Sequence, residues 1–249
     1  MELETWHLLL LPFFFGIGWL AARVDIRQVV KESRSIPTSY FRGLNYLLSE
    51  QPDRAIEAFL EVARLDPDTL ELHFALGALF RRRGELDRAI RIHQNLVDRS
   101  DLKQDQRQKA LYELGQDFQK AGLLDRAEDI FKRLETGVHA LDALRHQLDI
   151  YVLEKDWQAA IEVAQRLEKL GSPSQKADTA HYYCELALNA MLRKDIDQAR
   201  GFLEQALAMN RKSTRASQLL GDLAAQAGDD AGAIEHWRRV EQQNVAYLP

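Results

Sequence analysis

The side chains best spaced for chemistry are His181, Cys184 and Glu185, which stand at i, i+3 and i+4. On a helix that spacing puts all three on one face. A thiolate beside an imidazole is a zinc-type donor set. A closed site needs four ligands, however, and no second cluster can be paired with this one. The stretch is therefore expected to be an ordinary helix of a repeat, with no metal bound. The basic run Arg81-Arg82-Arg83, joined by Arg88 and Arg91, has two readings. It is either a set of cations complementing a helix C-terminus or a docking patch for an acidic partner surface. His73 and His93 fall at packing positions, and His236 adjoins Trp237. Neither a P-loop, a glycine-rich dinucleotide turn nor a nucleophile elbow occurs. The chain is not expected to be an enzyme, and no cofactor is expected in it.

What positions these side chains is a phrase repeated six times. It is centred on Ala55, Ala89, Ala127, Ala160, Ala199 and Ala233, with separations of 34, 38, 33, 39 and 34. A period near 34 marks tetratricopeptide repeats, in which each unit is a pair of antiparallel helices. Twelve residues before each alanine stand Gly43, Gly77, Gly115, Leu148, Ala187 and Gly221, where mostly small residues allow two helices to cross closely. Four residues after it come Phe59, His93, Phe131, Ala164, Leu203 and Trp237, on the same helical face as the alanine. Gly84, Gly122 and Gly228 mark the turn in three units, as at many helix C-termini.

The fold expected is all-α: a tetratricopeptide-repeat superhelical solenoid of about six helix pairs, preceded by one transmembrane helix. Repeats are placed near 36–69, 70–103, 108–140, 141–174, 180–213 and 214–247, within a domain spanning 36–249. Gly43, Ala55, Gly77, Ala89, Gly115, Ala127, Ala160, Ala199, Gly221 and Ala233 are the residues expected to pack the repeats. The first helix of each unit lines the inner, concave face of such an array. That assigns Tyr40, Leu44, Phe74, Arg81, Arg82, Tyr112, Gln116 and Arg145 as candidate partner-binding residues. Tyr40, Phe74 and Tyr112 would form an aromatic ladder of partner anchors, or would pack between neighbouring helices.

The amino terminus differs in kind. Leu8 to Ala22 carries no charge, and its nine strongly apolar residues favour insertion by about −0.3 to −0.6 kcal/mol each. Trp6, Leu8, Phe13, Phe14, Phe15 and Trp19 define an anchor over 1–22, with tryptophans near its ends as at membrane interfaces. Glu2 and Glu4 precede the run, whereas Arg23, Arg27, Lys31 and Arg34 follow it in a basic juxtamembrane linker over 23–35. The positive-inside rule then puts the amino terminus outside and the repeats in the cytoplasm. A cleaved secretory signal would want the basic residues first.

The net charge of −5 over 249 residues, with 29% charged side chains, argues against nucleic acid as the main partner. A single cysteine, Cys184, excludes an intramolecular disulfide and fits a reducing compartment.

Several stretches carry a family resemblance. Tyr40–Leu48, Leu79–Gln94, Leu114–Asp117, Ala121–Asp129 and Ala180–Ala187 resemble, in order, the lipopolysaccharide assembly protein B family of Gram-negative bacteria. The resemblance implies a single-pass protein of the cell inner membrane, with its repeats on the cytoplasmic side. It implies an adaptor that presents the deacetylase committing precursors to lipid A to a membrane-bound ATP-dependent protease, and that is bound in turn by a membrane regulator of lipopolysaccharide synthesis. The alternative is a structural scaffold coordinating lipopolysaccharide synthesis and export machinery. Family members also end in a small domain holding iron or zinc through two Cys-x-x-Cys pairs. This sequence lacks those pairs and ends at Pro249, soon after the sixth unit, so a truncated array is expected, with a divergent short form as the alternative.

Overall fold

The computed structural model describes residues 15, 19, 38–65 and 69–243. Twelve helices and no strand occur among them. The helices are α1 (Thr38–Leu48), α2 (Pro52–Leu65), α3 (Leu70–Arg83), α4 (Leu86–Val97), α5 (Gln104–Lys120), α6 (Leu124–Arg133), α7 (Ala140–Glu154), α8 (Trp157–Lys169), α9 (Lys176–Leu192), α10 (Ile196–Met209), α11 (Thr214–Gln226) and α12 (Asp230–Gln243). The anchor expected over 1–22 and the linker over 23–35 lie outside the described residues. The exceptions are Phe15 and Trp19, which are helical and exposed. Among the described residues no helix is long and apolar enough to cross a membrane.

The chain divides into two compact units, Met1–Leu72 and His73–Pro249. In the first, α1 and α2 close around Ala55, Ile56, Ala58, Phe59 and Val62, all buried. A Cβ on Gly43 would meet the Phe59 ring at 2.6 Å. The absence of a side chain there is what lets the two helices approach, and burying a ring of that size stabilises by roughly 1.5–3 kcal/mol. Tyr40 leans on Phe59 with ring centroids 5.9 Å apart.

The second unit repeats this crossing with different residues. A Cβ on Gly77 would collide with the His93 ring, one on Gly115 would lie 2.8 Å from Phe131, and one on Gly221 would collide with Trp237. At the fourth crossing the bulk changes sides. Leu148 is on the first helix and Ala164 on the second, both buried in one cluster. The fifth crossing pairs Ala187 with Leu203. Ala55, Ala89, Ala127, Ala160, Ala199 and Ala233 are each at most 1% exposed.

Every turn inside a helix pair has one residue with positive φ, five positions before the buried alanine. These are Glu50, Gly84, Gly122, Lys155, Lys194 and Gly228. The amide after it bonds back to a carbonyl five residues earlier, as in Glu85 N to Phe80 O (2.9 Å), Leu123 N to Phe118 O (2.9 Å) and Asp156 N to Tyr151 O (2.9 Å). This is the Schellman closure, which satisfies carbonyls orphaned at a helix end. The next helix then starts at once. At α8, α10 and α12 the carboxylates of Asp156, Asp195 and Asp229 accept from Ala159, Gln198 and Gly232 amides, at 3.1, 3.1 and 3.0 Å.

Candidate functional site

The first helices of successive pairs are joined by polar side chains about one period apart. Arg81 of α3 reaches Glu113 and Asp117 of α5. The Tyr112 hydroxyl of α5 lies 3.3 Å from His146 Nε2 of α7. Arg215 of α11 binds Glu185 of α9 at 2.7 Å. These contacts tie first helices of neighbouring pairs to one another, and of the assigned residues Arg81 and Tyr112 take part in them.

Tyr40 and Leu44 lie in the first unit, Tyr40 half-buried on Phe59 and Leu44 exposed. Phe74 is 8% exposed, with the Lys109 ammonium over its ring at 4.5 Å. Tyr112 stacks on His139 at 4.7 Å and 5° between planes, and its burial pushes its hydroxyl pKa up. Phe74 and Tyr112 thus sit at packing contacts between helices. Arg145 is exposed and paired with Asp142 at 3.2 Å.

Three of the assigned residues, Arg81, Arg82 and Gln116, meet at one groove of about 590 Å³ together with Gln119, Lys120 and His146. The last three were missed from sequence. Gln119 and Lys120 were accessible to reasoning, because they follow Gln116 by three and four residues and so share its face. His146 carried no such signal. Its ring stacks on Phe131 at 4.7 Å, and burial pushes its pKa down, which keeps it neutral near pH 7.

Behind the groove runs a buried polar chain. His93 Nδ1 is 2.5 Å from Asp117 Oδ2, and both side chains are fully buried. Asp117 Oδ1 accepts from Arg81 Nη1 at 2.7 Å. Arg81 also donates to the Glu113 carbonyl at 3.1 Å and to the Glu113 carboxylate at 2.6 Å. Burial works against the Arg81 cation, but the bonds from Glu113 and Asp117 outweigh it and raise its pKa. His93 Nε2, turned toward Gly77, has no hydrogen-bond partner among the described residues. Arg83 binds Glu85 at 3.0 Å. Arg88 shares that carboxylate at 2.7 Å and covers the Phe80 ring at 3.9 Å. Arg82 and Lys120 are exposed and make no ion pair among the described residues.

The metal-like triplet does not converge. His181 and Glu185 face outward beside Arg215, while Cys184 is buried in an apolar cluster where burial pushes its thiol pKa up. A protonated, enclosed thiol does not suit a metal ligand. Nor can one cysteine supply the Cys-x-x-Cys donor pairs that the family resemblance implies elsewhere.

A tetratricopeptide repeat family model matches residues 42–101 and 184–246. Over 239 residues the chain is 43% identical to lipopolysaccharide assembly protein B of Escherichia coli strain K12, covering 95% of this chain and 61% of that protein. It is 32% identical to the protein of the same name from Haemophilus influenzae, covering 96% of this chain and 63% of the other. The chain therefore spans less than two thirds of the length of these relatives. A solved tetratricopeptide repeat protein from Parabacteroides merdae superposes with a TM-score of 0.50 at 15% identity, over 84% of this chain and 81% of that one, a likeness of fold alone. The chain thus carries tetratricopeptide repeats and is a relative of lipopolysaccharide assembly protein B.

Proposed function

We propose that this chain acts in lipopolysaccharide assembly by holding other proteins, as an adaptor tethered to the inner membrane. The observation that carries the reading is the match to lipopolysaccharide assembly protein B along 95% of the chain. The helical repeats support it, because stacked helix pairs offer an extended binding surface. In the full reading the repeats lie on the cytoplasmic side, tied down by the apolar segment 1–22. They receive the lipid A pathway deacetylase and present it to a membrane-bound ATP-dependent protease, and a membrane regulator of the pathway engages the same protein. Confinement beside the bilayer raises the effective concentration of the two clients for one another.

The test is capture from bacterial membranes, with immunodetection of the deacetylase and the protease, using the chain with and without residues 1–35. Recovery of both with the anchor, and loss of the protease without it, is the expected result. The deacetylase half-life in cells lacking the protein separates adaptor from scaffold. A lengthened half-life fits the adaptor. An unchanged half-life with mislocalised synthesis or export machinery would replace it with a scaffold that leaves proteolysis alone.

A further inference from the structure

Two polar side chains occupy places that other pairs fill with hydrocarbon. His93 stands where Phe59, Phe131 and Trp237 stand, four residues after the buried alanine. Asp117 stands ten residues before its alanine, where the second, fourth and sixth pairs bury Leu79, Ile150 and Leu223. A buried polar pair of this kind is no stability gain over apolar residues of similar volume. Its cost needs a return elsewhere, and Asp117 leads directly to one. The carboxylate is clamped by His93 on one oxygen and grips Arg81 with the other. Arg81 is thereby fixed at the wall of the groove, held by Asp117 on one side and Glu113 on the other.

Resting on the reading of the repeats as a partner-holding surface, we propose that this groove takes an acidic peptide segment of a protein partner. Arg82 and Lys120 meet its carboxylates, and Arg81 is held in place by the His93–Asp117 pair as a fixed wall. The charge count favours an anionic guest. Glu113 and Asp117 are both spent on Arg81, no carboxylate lines the groove, and Arg82 and Lys120 have no ion pair among the described residues. The guest is a peptide because the remaining polar lining is the Gln116 and Gln119 amides beside the uncharged His146 ring. Each amide both donates and accepts, as a peptide backbone requires. His93 and Asp117 act as positioning residues. They touch no guest, and they spare it the entropy of ordering a long cationic side chain.

The experiment is fluorescence anisotropy of a labelled short oligoglutamate peptide with the full chain, against oligoglutamine and a short RNA. Oligoglutamate should bind in preference to both, and salt should weaken it. Reversing both loose cations (Arg82→Glu with Lys120→Glu) should raise its Kd by about tenfold or more. Reversing two exposed cations elsewhere, Arg200→Glu with Arg238→Glu, should leave it nearly unchanged. The double variant His93→Phe/Asp117→Leu installs residues used at these places by neighbouring pairs. It should melt no lower than the parent yet bind several-fold more weakly. Equal binding of oligoglutamate and oligoglutamine, preference for RNA, or indifference to the Arg82/Lys120 reversal would each overturn the proposal. So would unaltered affinity in the His93/Asp117 variant for its positioning part. A chain that binds oligoglutamate through these residues but recovers neither deacetylase nor protease keeps this inference and loses the adaptor reading. Recovery of both clients by the Arg82/Lys120 reversal does the opposite.

Discussion

The second and third helix pairs make their crossings in one way, and the fourth and fifth in another. In the earlier two, a glycine on the first helix receives a ring from the second: Gly77 under His93, Gly115 under Phe131. Their turns use Gly84 and Gly122, and the helices that follow have no side-chain cap. In the later two, bulk and space are redistributed between Leu148 and Ala164, and between Ala187 and Leu203. The turns carry Lys155 and Lys194 in the left-handed region, each followed by an aspartate that caps the next helix. A left-handed lysine costs about 1–2 kcal/mol, and an aspartate cap returns about 1 kcal/mol. What stays constant is the filled volume at the crossing and the reversed backbone at the turn. The residues that supply them are interchangeable, which frees one crossing to hold a polar chain that serves the surface.

The largest effect should come from Asp117→Ala, which leaves the fully buried His93 without its partner and opens a cavity, whereas Arg81 keeps Glu113. About 3–5 kcal/mol should be lost, read as a fall in chemical-denaturation midpoint. Asn189→Ala, at the corresponding but exposed place of the fifth pair, should change little. Next comes Gly115→Leu, which drives a side chain into the Phe131 ring and should cost about 3 kcal/mol, a drop of roughly 6–12 °C in Tm. A melt matching the parent would break the crossing account. The exchange of volume is tested by a double-mutant cycle. Leu203→Phe alone should destabilise by about 1–3 kcal/mol. Adding Ala187→Gly should leave the pair about 1 kcal/mol better than the sum of the two.

A smaller effect concerns acid. Burial pushes the Glu128 carboxyl up, but the bonds from Lys132 and the Tyr151 hydroxyl, each 2.5 Å, outweigh it and hold its pKa below the ordinary range. A depressed folded pKa means stabilisation that is present above the unfolded value and disappears as pH falls through the folded one. Glu128→Gln should therefore melt about 1 kcal/mol below the parent at neutral pH, and the difference should close on acidification. The smallest effect is a gain. Lys155→Gly should raise stability by about 0.5–1 kcal/mol by relieving the left-handed lysine. Loss of stability instead would show that the lysine side chain contributes more than its backbone costs.

The period and the alanines were legible because helix pairs of fixed length must place a small residue at a fixed interval. The glycine-and-ring pairs were visible as two columns of residues, but not as facing partners, since sixteen residues separate Gly115 from Phe131 and only the folded turn brings them together. Glu50, Lys155 and Lys194 gave no hint of left-handed backbone, because their side chains are not the ones that favour it. Phe74 allowed two readings, groove anchor or packing between helices, because one helical face serves both, and in the fold its ring is 8% exposed. His93 and Asp117 stand 24 residues apart on helices of different pairs. No local spacing links them, and their one trace was a histidine in a column of rings. The anchor over 1–22 was expected from its apolar run, and apart from Phe15 and Trp19 it lies outside the described residues.

Among the described residues the longest-range side-chain hydrogen bond, Arg81 to Asp117, spans 36 positions. A structure tied so locally does not have to wait for its carboxyl end during synthesis. Each hairpin can close while the ribosome is still making the next, and low contact order of this kind goes with fast folding. It also means that a pull at one edge can peel away a single hairpin without melting the remainder.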